Sequence, residues 1–176
     1  RAKIEFKIAM AESGATVASA QNPKAVAIGA DHGGFEMKEA LKKEMKSWGY
    51  EVIDVGTNST DSVDYPDFAH PVATLVSRGE CASGIVIDGA GIGSAIVANK
   101  VPGVRAAHCH DLYEIKNSKE HNNSNVLTLG GRTLGIGLAT DMVKLWLETP
   151  FAGGRHQRRV DKMVAIEQIY CKGKGN

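Results

Sequence analysis

The sequence predicts one doubly wound, Rossmann-like α/β domain: a five-stranded parallel sheet, helices on both faces, and a further helix at the carboxyl end. Three observations carry that prediction. Five short apolar runs recur along the chain, each bounded by glycine or polar residues, as strands buried on both faces require. Between them lie segments whose apolar residues recur every three or four positions, the period of a helix with one buried face. The two patterns alternate, which is the sequence form of parallel strands joined by crossover helices.

The first run, Ala25-Val26-Ala27-Ile28-Gly29, reads as a buried strand. Phe35, Met37, Leu41, Met45 and Trp48 then mark a helix, and Gly49 ends it. Val52-Ile53-Asp54-Val55 is a second strand. After a polar loop, Pro66 opens a helix with Ala69, Val72, Ala73 and Val76 on its apolar face, closed near Gly79. Gly84-Ile85-Val86-Ile87 is a third strand, followed by a helix over 92–99. Val104-Arg105-Ala106-Ala107 is a fourth strand, followed by a helix over 112–119. Val126-Leu127-Thr128-Leu129 is the fifth, with a helix over 136–147, and residues 155–170 form the last helix.

This pattern occupies residues 24–170, with a short tail at 171–176. Residues 1–23 differ: a short alternating stretch precedes a small, polar segment, read as a tag, a disordered tail or a docking peptide. The 176 residues suit one domain with a proper core. Twenty-one basic residues balance twenty acidic ones, which argues against a bulk nucleic-acid or membrane-surface binder. No apolar run approaches the roughly 20 residues of a membrane span. Cys81, Cys109 and Cys171 have no metal-type spacing and are read as free thiols. No secretory or transit signature stands at the start, so the expectation is a cytoplasmic protein.

Doubly wound folds bind ligands beyond the carboxyl ends of their strands, so the turns there are the candidate ligand-binding segments. The first strand leads into Asp31-His32-Gly33-Gly34, two polar side chains beside glycines that let a ligand approach the backbone. The third leads into Asp88-Gly89-Ala90-Gly91-Ile92-Gly93-Ser94, whose N–H groups suit an anion or a developing oxyanion. The fifth leads into Gly130-Gly131-Arg132, and His121-Asn122 stands just before it. Arg155 and Arg159, four apart, share one helix face; two guanidinium forks there suit a phosphate. Each turn alone also reads blandly, as a tight connection, a helix cap or a solvated basic face. His108 reads as a packed or surface histidine.

As a set, in chain order, several blocks resemble the type B ribose-5-phosphate isomerases. They are Asp31-His32-Gly33-Gly34-Phe35, Asp64-Tyr65-Pro66-Asp67, Gly91-Ile92-Gly93, Ala98-Asn99-Lys100, His121-Asn122, Asn125-Val126-Leu127, and Gly153-Gly154-Arg155-His156-Gln157-Arg158-Arg159. The likeness runs from about Lys24 to Ile169, and the related galactose-6-phosphate isomerase subunits share several blocks. It implies interconversion of an aldose phosphate and its ketose through an enediolate, with no metal and no organic cofactor. By position His121 matches the ring-opening residue, and Asp31 and His32 match sugar contacts. Gly89, Ala90, Gly91, Ile92 and Gly93 match the loop that steadies the enediolate. Asn122, Arg132, Arg155 and Arg159 match substrate and phosphate contacts. The family's sites lie between subunits, so a homodimer or a dimer of dimers is implied.

The chain departs from the family at Asp88, where most members place a catalytic cysteine in a Cys-Gly-Thr-Gly turn. One branch instead uses a glutamate just after the loop's last glycine; here that residue is Ser94. Three readings follow. Asp88 is the base, provided burial raises its pKa; an ordinary aspartate, near roughly 3.9, falls about 4 kcal/mol short of a base matched to neutral pH. Or the altered turn marks another substrate, a four- or six-carbon sugar phosphate. Or the chain binds sugar phosphates without turning them over, as a partner subunit.

Overall fold

A computed structural model describes residues 22–170. The strands are β1 (Ala25–Ala30), β2 (Glu51–Asp54), β3 (Ser83–Asp88), β4 (Ala106–His108) and β5 (Val126–Gly130). The helices are α1 (Phe35–Ser47), α2 (Pro66–Ser77), α3 (Ile92–Ala98), α4 (Leu112–Glu120), α5 (Ile136–Glu148) and α6 (Arg155–Tyr170). All strand pairs are parallel, in the order β2-β1-β3-β5-β4. The doubly wound sheet expected from the sequence is therefore present, with its carboxyl-end helix.

The interior strands are buried along their length, which their continuous apolar runs allow and their position demands. Two cores sit against the sheet. Met37, Leu41 and Met45 of α1, Ile115 of α4, and Met142, Val143 and Trp146 of α5 cover one face. Ala69, Val72, Ala73 and Val76 of α2, with Ala98 of α3, cover the other. Each fully buried aliphatic side chain contributes about 1.5–3 kcal/mol. Helix α1 ends as its sequence specifies: the Gly49 N–H bonds the Lys46 carbonyl, with glycine at a φ of 84°.

Two local outcomes differ from the sequence reading. The fourth strand lies at 106–108 rather than 104–107. Val104 is held in a turn by the Val101 carbonyl, and the Arg105 N–H donates to the Asn125 side chain at 2.7 Å, so the ladder with β5 begins only at Ala106. And α1 buries a cation: Lys38 is fully inaccessible, its Nζ 2.6 Å from both Glu39 and Asp54. A lysine there is tolerable only because both acids pair it, tying the end of β2 to α1.

Strand order fixes where a ligand would sit. From β1 the chain winds outward to β2, then crosses back to β3 on the other side. The crevice opens at this switch point, beyond the carboxyl ends of β1 and β3. Ala30 pairs with Ile87, so Asp31 and Asp88 leave adjacent strands side by side. At the other extreme, α6 buries only His156 and Val160. No helix among the described residues is long and apolar enough to cross a membrane. Cys81 and Cys109 are free and buried. The expected extension over 1–23 and tail over 171–176, with Cys171, lie outside the described residues except for Asn22 and Pro23; Asn22 bonds Glu51 at 2.8 Å.

Candidate active site

Three turns meet at the switch point. The Asp31 N–H donates to Ile87, the Gly131 N–H to the Asp88 carbonyl at 2.8 Å, and the Arg132 N–H to the Gly89 carbonyl at 3.0 Å. Packing is backbone on backbone: a Cβ at Gly131 would lie 2.3 Å from the Gly33 carbonyl oxygen, and one at Gly34 would lie 2.4 Å from that of Ile87. Beyond these turns is a cleft of about 270 Å3 lined by His32, Gly33, Glu36, Thr60, Gly131 and Arg132. His32 accepts the Val63 N–H through Nδ1 at 3.3 Å, which puts the proton of the neutral ring on Nε2. A larger cavity of about 340 Å3 lies elsewhere, between β4 and α6. Asn122 stands in its wall, but no strand-end glycine turn reaches it, so the smaller cleft beyond the carboxyl ends of β1 and β3 is the better candidate.

Asp88 is 5% exposed and wholly engaged by its own loop. Oδ1 accepts N–H bonds from Ala90, at 2.8 Å, and from Gly91; Oδ2 accepts one from Ser94 at 2.8 Å. The wholly buried Ser94 hydroxyl meets no partner in good hydrogen-bond geometry, yet lies near enough to favour the ionised carboxylate. Burial pushes this carboxyl up; the Ser94 hydroxyl and N–H, with those of Gly91 and Ala90, outweigh it and hold it below the ordinary aspartate value. The condition set for Asp88 as the base, a carboxyl raised by burial above its ordinary value, is therefore not met: burial acts in that direction, and the loop donors outweigh it. Two loop N–H groups expected to face an oxyanion, those of Ala90 and Gly91, instead face Asp88. The N–H groups of Gly89, Ile92 and Gly93 donate to no acceptor among the described residues.

Asp31 stands otherwise. Only its Oδ1 accepts hydrogen bonds, from Gly33 at 2.8 Å and Gly34 at 3.2 Å. Burial here prevails and lifts the carboxyl above the ordinary value; Asp88 adds to the rise, and the Gly33 N–H and His32 oppose it.

The other expected site residues form a separate corner. Asn117 donates to His121 Nδ1 at 2.9 Å, and the His121 ring stacks on His156 with centroids 4.0 Å apart and planes within 5°. Arg155 Nε donates to His156 Nε2 at 3.4 Å, and Asn122 bonds back to Asn117. Arg159 lies one turn along α6 from Arg155, both exposed. His156 is held below the ordinary histidine value by burial first, then by its neighbours His121, Arg155 and Arg159. Among the described residues, no hydrogen bond, ion pair or ring contact joins this corner to the crevice.

Three participants escaped the sequence reading as site residues. Ser94 carries no carboxylate to mark it in the sequence, yet it supplies one of the three N–H bonds to Asp88. His156 lay inside a quoted block, and its stacking partner is 35 residues away, beyond any local signal. Tyr65 packs so closely on Gly93 that a Cβ there would lie 2.6 Å from its ring. His108 is a packed histidine: Nδ1 meets the Thr128 carbonyl at 3.1 Å, and Nε2 meets His110 at 2.9 Å. No group of three or more His, Cys, Asp or Glu among the described residues is disposed to hold a metal.

A single parallel α/β domain with a polar, glycine-walled cleft at its switch point, beside two buried carboxyl groups, has the form of an enzyme for a small polar molecule. Residues 26–163 match the family model described as Ribose/Galactose Isomerase. The chain belongs to that family and is an isomerase. It is 45% identical to ribose-5-phosphate isomerase B of Escherichia coli, over 82% of this chain and 97% of that protein. It is 37% identical to D-erythrulose-4-phosphate isomerase of Pectobacterium atrosepticum, over 81% of this chain and 94% of that one. The structure of Clostridium thermocellum ribose-5-phosphate isomerase B superposes with a TM-score of 0.81 at 51% identity, covering 83% of this chain and 99% of that chain.

Proposed function

We propose that this chain interconverts ribose 5-phosphate and ribulose 5-phosphate through an enediolate, at a site completed by a second copy of itself. The observation that carries the reading is the meeting of the Asp31-His32 turn, the Gly89–Gly93 loop and Arg132 at the switch point. His32 and Asp31 face the sugar, the remaining loop N–H groups face the oxyanion, and Arg132 reaches the ligand's charged end.

The ring-opening and phosphate-holding groups come from the second copy. His121 and Asn122, with Arg155 and Arg159, form a cationic corner that the same chain does not join to its own crevice. Ile92, Ile96, Tyr113, Met163 and Ile166 are exposed and apolar, a surface suited to a second copy. The assembly is a homodimer or a dimer of dimers. A two-fold interface is isologous, so each dimer carries two such sites.

The family's description covers ribose and galactose, and one relative is named for a four-carbon substrate, so the assay spans four- to six-carbon sugar phosphates. Proton exchange in deuterated water should be fastest with ribose 5-phosphate. Exchange with none of the panel would leave only the sugar-phosphate-binding reading. For the shared site, Arg132→Ala and His121→Ala subunits, each strongly impaired alone on cyclic ribose 5-phosphate, should on random co-assembly recover to roughly a quarter of parental activity. No recovery in a verified mixed dimer would put both residues in one chain's site.

A further inference from the structure

We propose that Asp31 is the base that carries the proton between C2 and C1 of the open-chain sugar, and that Asp88 is a positioning residue that shapes the loop beneath it. The inference rests on the isomerase reading above and names the group that stands in for the missing cysteine thiolate. Its ground is a division of labour between two adjacent carboxyl groups. Asp88 has each oxygen bonded to N–H groups of the segment that follows it, three bonds in all. Turning toward a substrate would strip its own loop of those bonds. Asp31 uses one oxygen to hold Gly33 and Gly34. Its Oδ2 accepts nothing among the described residues and is absent from the fully buried, unpartnered atoms, which are Ser94 Oγ and His156 Nδ1. That oxygen therefore keeps a little contact with solvent, next in the chain to His32 and Gly33 of the cleft wall. A Cβ at Gly33 would lie 3.3 Å from Asp31 Oδ1 and 3.1 Å from Gly89, so the turn that Asp31 holds packs against the start of the glycine loop. Its displaced acidity agrees: Asp31 binds a proton more readily than an ordinary aspartate, and Asp88 less readily. Two carboxyl groups driven apart in this way divide into a proton carrier and a fixed charge. The charged and titratable groups facing Asp31 are Asp88 and His32, and the Arg132 side chain lies against Gly89.

The step balances without any co-reactant. The Asp31 carboxylate removes the C2 proton. The C–H electron pair forms the C1=C2 bond, and the carbonyl π pair moves onto O1. The carboxylic acid so formed returns its proton to C1 while the O2 proton passes to O1, leaving the carbonyl at C2.

The test uses the full chain, ribose 5-phosphate in deuterated water, and inorganic phosphate as binding probe. Asp31→Asn should lose about a thousandfold in turnover and in deuterium wash-in, with phosphate affinity within about twofold of parent. Asp88→Asn should lose only about tenfold. It should also move the acid limb of the kcat–pH profile to lower pH, because a negative charge that holds the Asp31 proton is gone. A merely structural Asp88 would leave that limb in place. Asp31→Glu, which keeps a carboxyl group, should recover at least about tenfold over Asp31→Asn, so a folding defect cannot pass for lost chemistry. Wash-in by Asp31→Asn within tenfold of parent, an Asp88→Asn variant devoid of exchange, an unmoved acid limb, or a natively melting Asp31→Glu no better than Asp31→Asn would each overturn the assignment. Failure of the parent chain to exchange any sugar phosphate would instead overturn the isomerase reading.

Discussion

The turns after β1 and β3 use the same parts, an aspartate at the strand end followed by glycines and a helix, and produce opposite chemistry. Asp31 is 7% exposed and Asp88 5%, so burial does not separate them. What separates them is the path of the following backbone. Around Asp88 it curls until three N–H groups point at the carboxylate and the ionised form is favoured. Around Asp31 only two N–H groups do so, both at one oxygen, and desolvation prevails. The lesson is that a buried carboxyl group is tuned by the donors its loop can aim at it more than by its depth.

The largest effect that would sharpen this contrast concerns the bend of the second turn. Gly91 has a φ of 79°, and a Cβ there would lie 2.4 Å from the His108 ring and 2.8 Å from the Leu129 backbone. Gly91→Ala should cost at least about 3 kcal/mol in urea unfolding, from left-handed strain plus overpacking. Gly89→Ala, whose nearest neighbours are the flexible Arg132 side chain at 3.7 Å, should cost less than about 1 kcal/mol. Equal costs would mean that the loop's shape does not depend on that bend.

Next in size is the stability of the two carboxyl variants. Asp88→Asn turns an amide N–H₂ or a weaker acceptor toward the loop donors and should cost about 1–3 kcal/mol at neutral pH. The sign follows from linkage. The folded-state value is depressed, so the contribution is present above the unfolded aspartate range and is lost as pH falls through the folded value. The gap between parent and Asp88→Asn in melting temperature should therefore narrow in acid. Asp31 has a raised folded value, so its ionised form opposes folding at neutral pH. Asp31→Asn should melt no lower than the parent there. A lower melting temperature for Asp31→Asn than for Asp88→Asn would reverse the comparison.

Smaller effects belong to the corner that no hydrogen bond or ring contact among the described residues joins to either turn. Arg155→Ala and Arg159→Ala should each raise KM about tenfold with kcat within about twofold, because a phosphate grip acts equally in ground and transition states. An unchanged KM for both would remove them from the site. His121→Ala should lose several-fold more activity on cyclic than on open-chain substrate; equal losses would end its ring-opening role.

Much of this molecule was legible in the chain itself. Apolar runs and helical spacing located all eleven elements, because buried strands and amphipathic helices each impose a period that few alternative folds share. The start of β4 was misread because Val104 is apolar and buried, as in a strand, while a side chain 21 residues away, Asn125, holds the neighbouring backbone off the ladder. Lys38 was unreadable as a core residue because its burial depends on Asp54, on another element. The blocks supply candidate site residues, but not their grouping: His121 stacks on His156, and no hydrogen bond or ring contact among the described residues joins either to the Asp31 turn.

By itself the sequence determined the fold class, the helix-ending glycines and the set of polar residues at strand ends, since each follows from local period, backbone freedom or chain order. Only the tertiary structure decided that β1 and β3 lie side by side, that Asp88 is held by its own loop while Asp31 keeps an oxygen open, and that the arginine corner stands apart. Those outcomes depend on strand order and on where individual N–H bonds point. Residues far apart in the chain set both, and no local pattern encodes them.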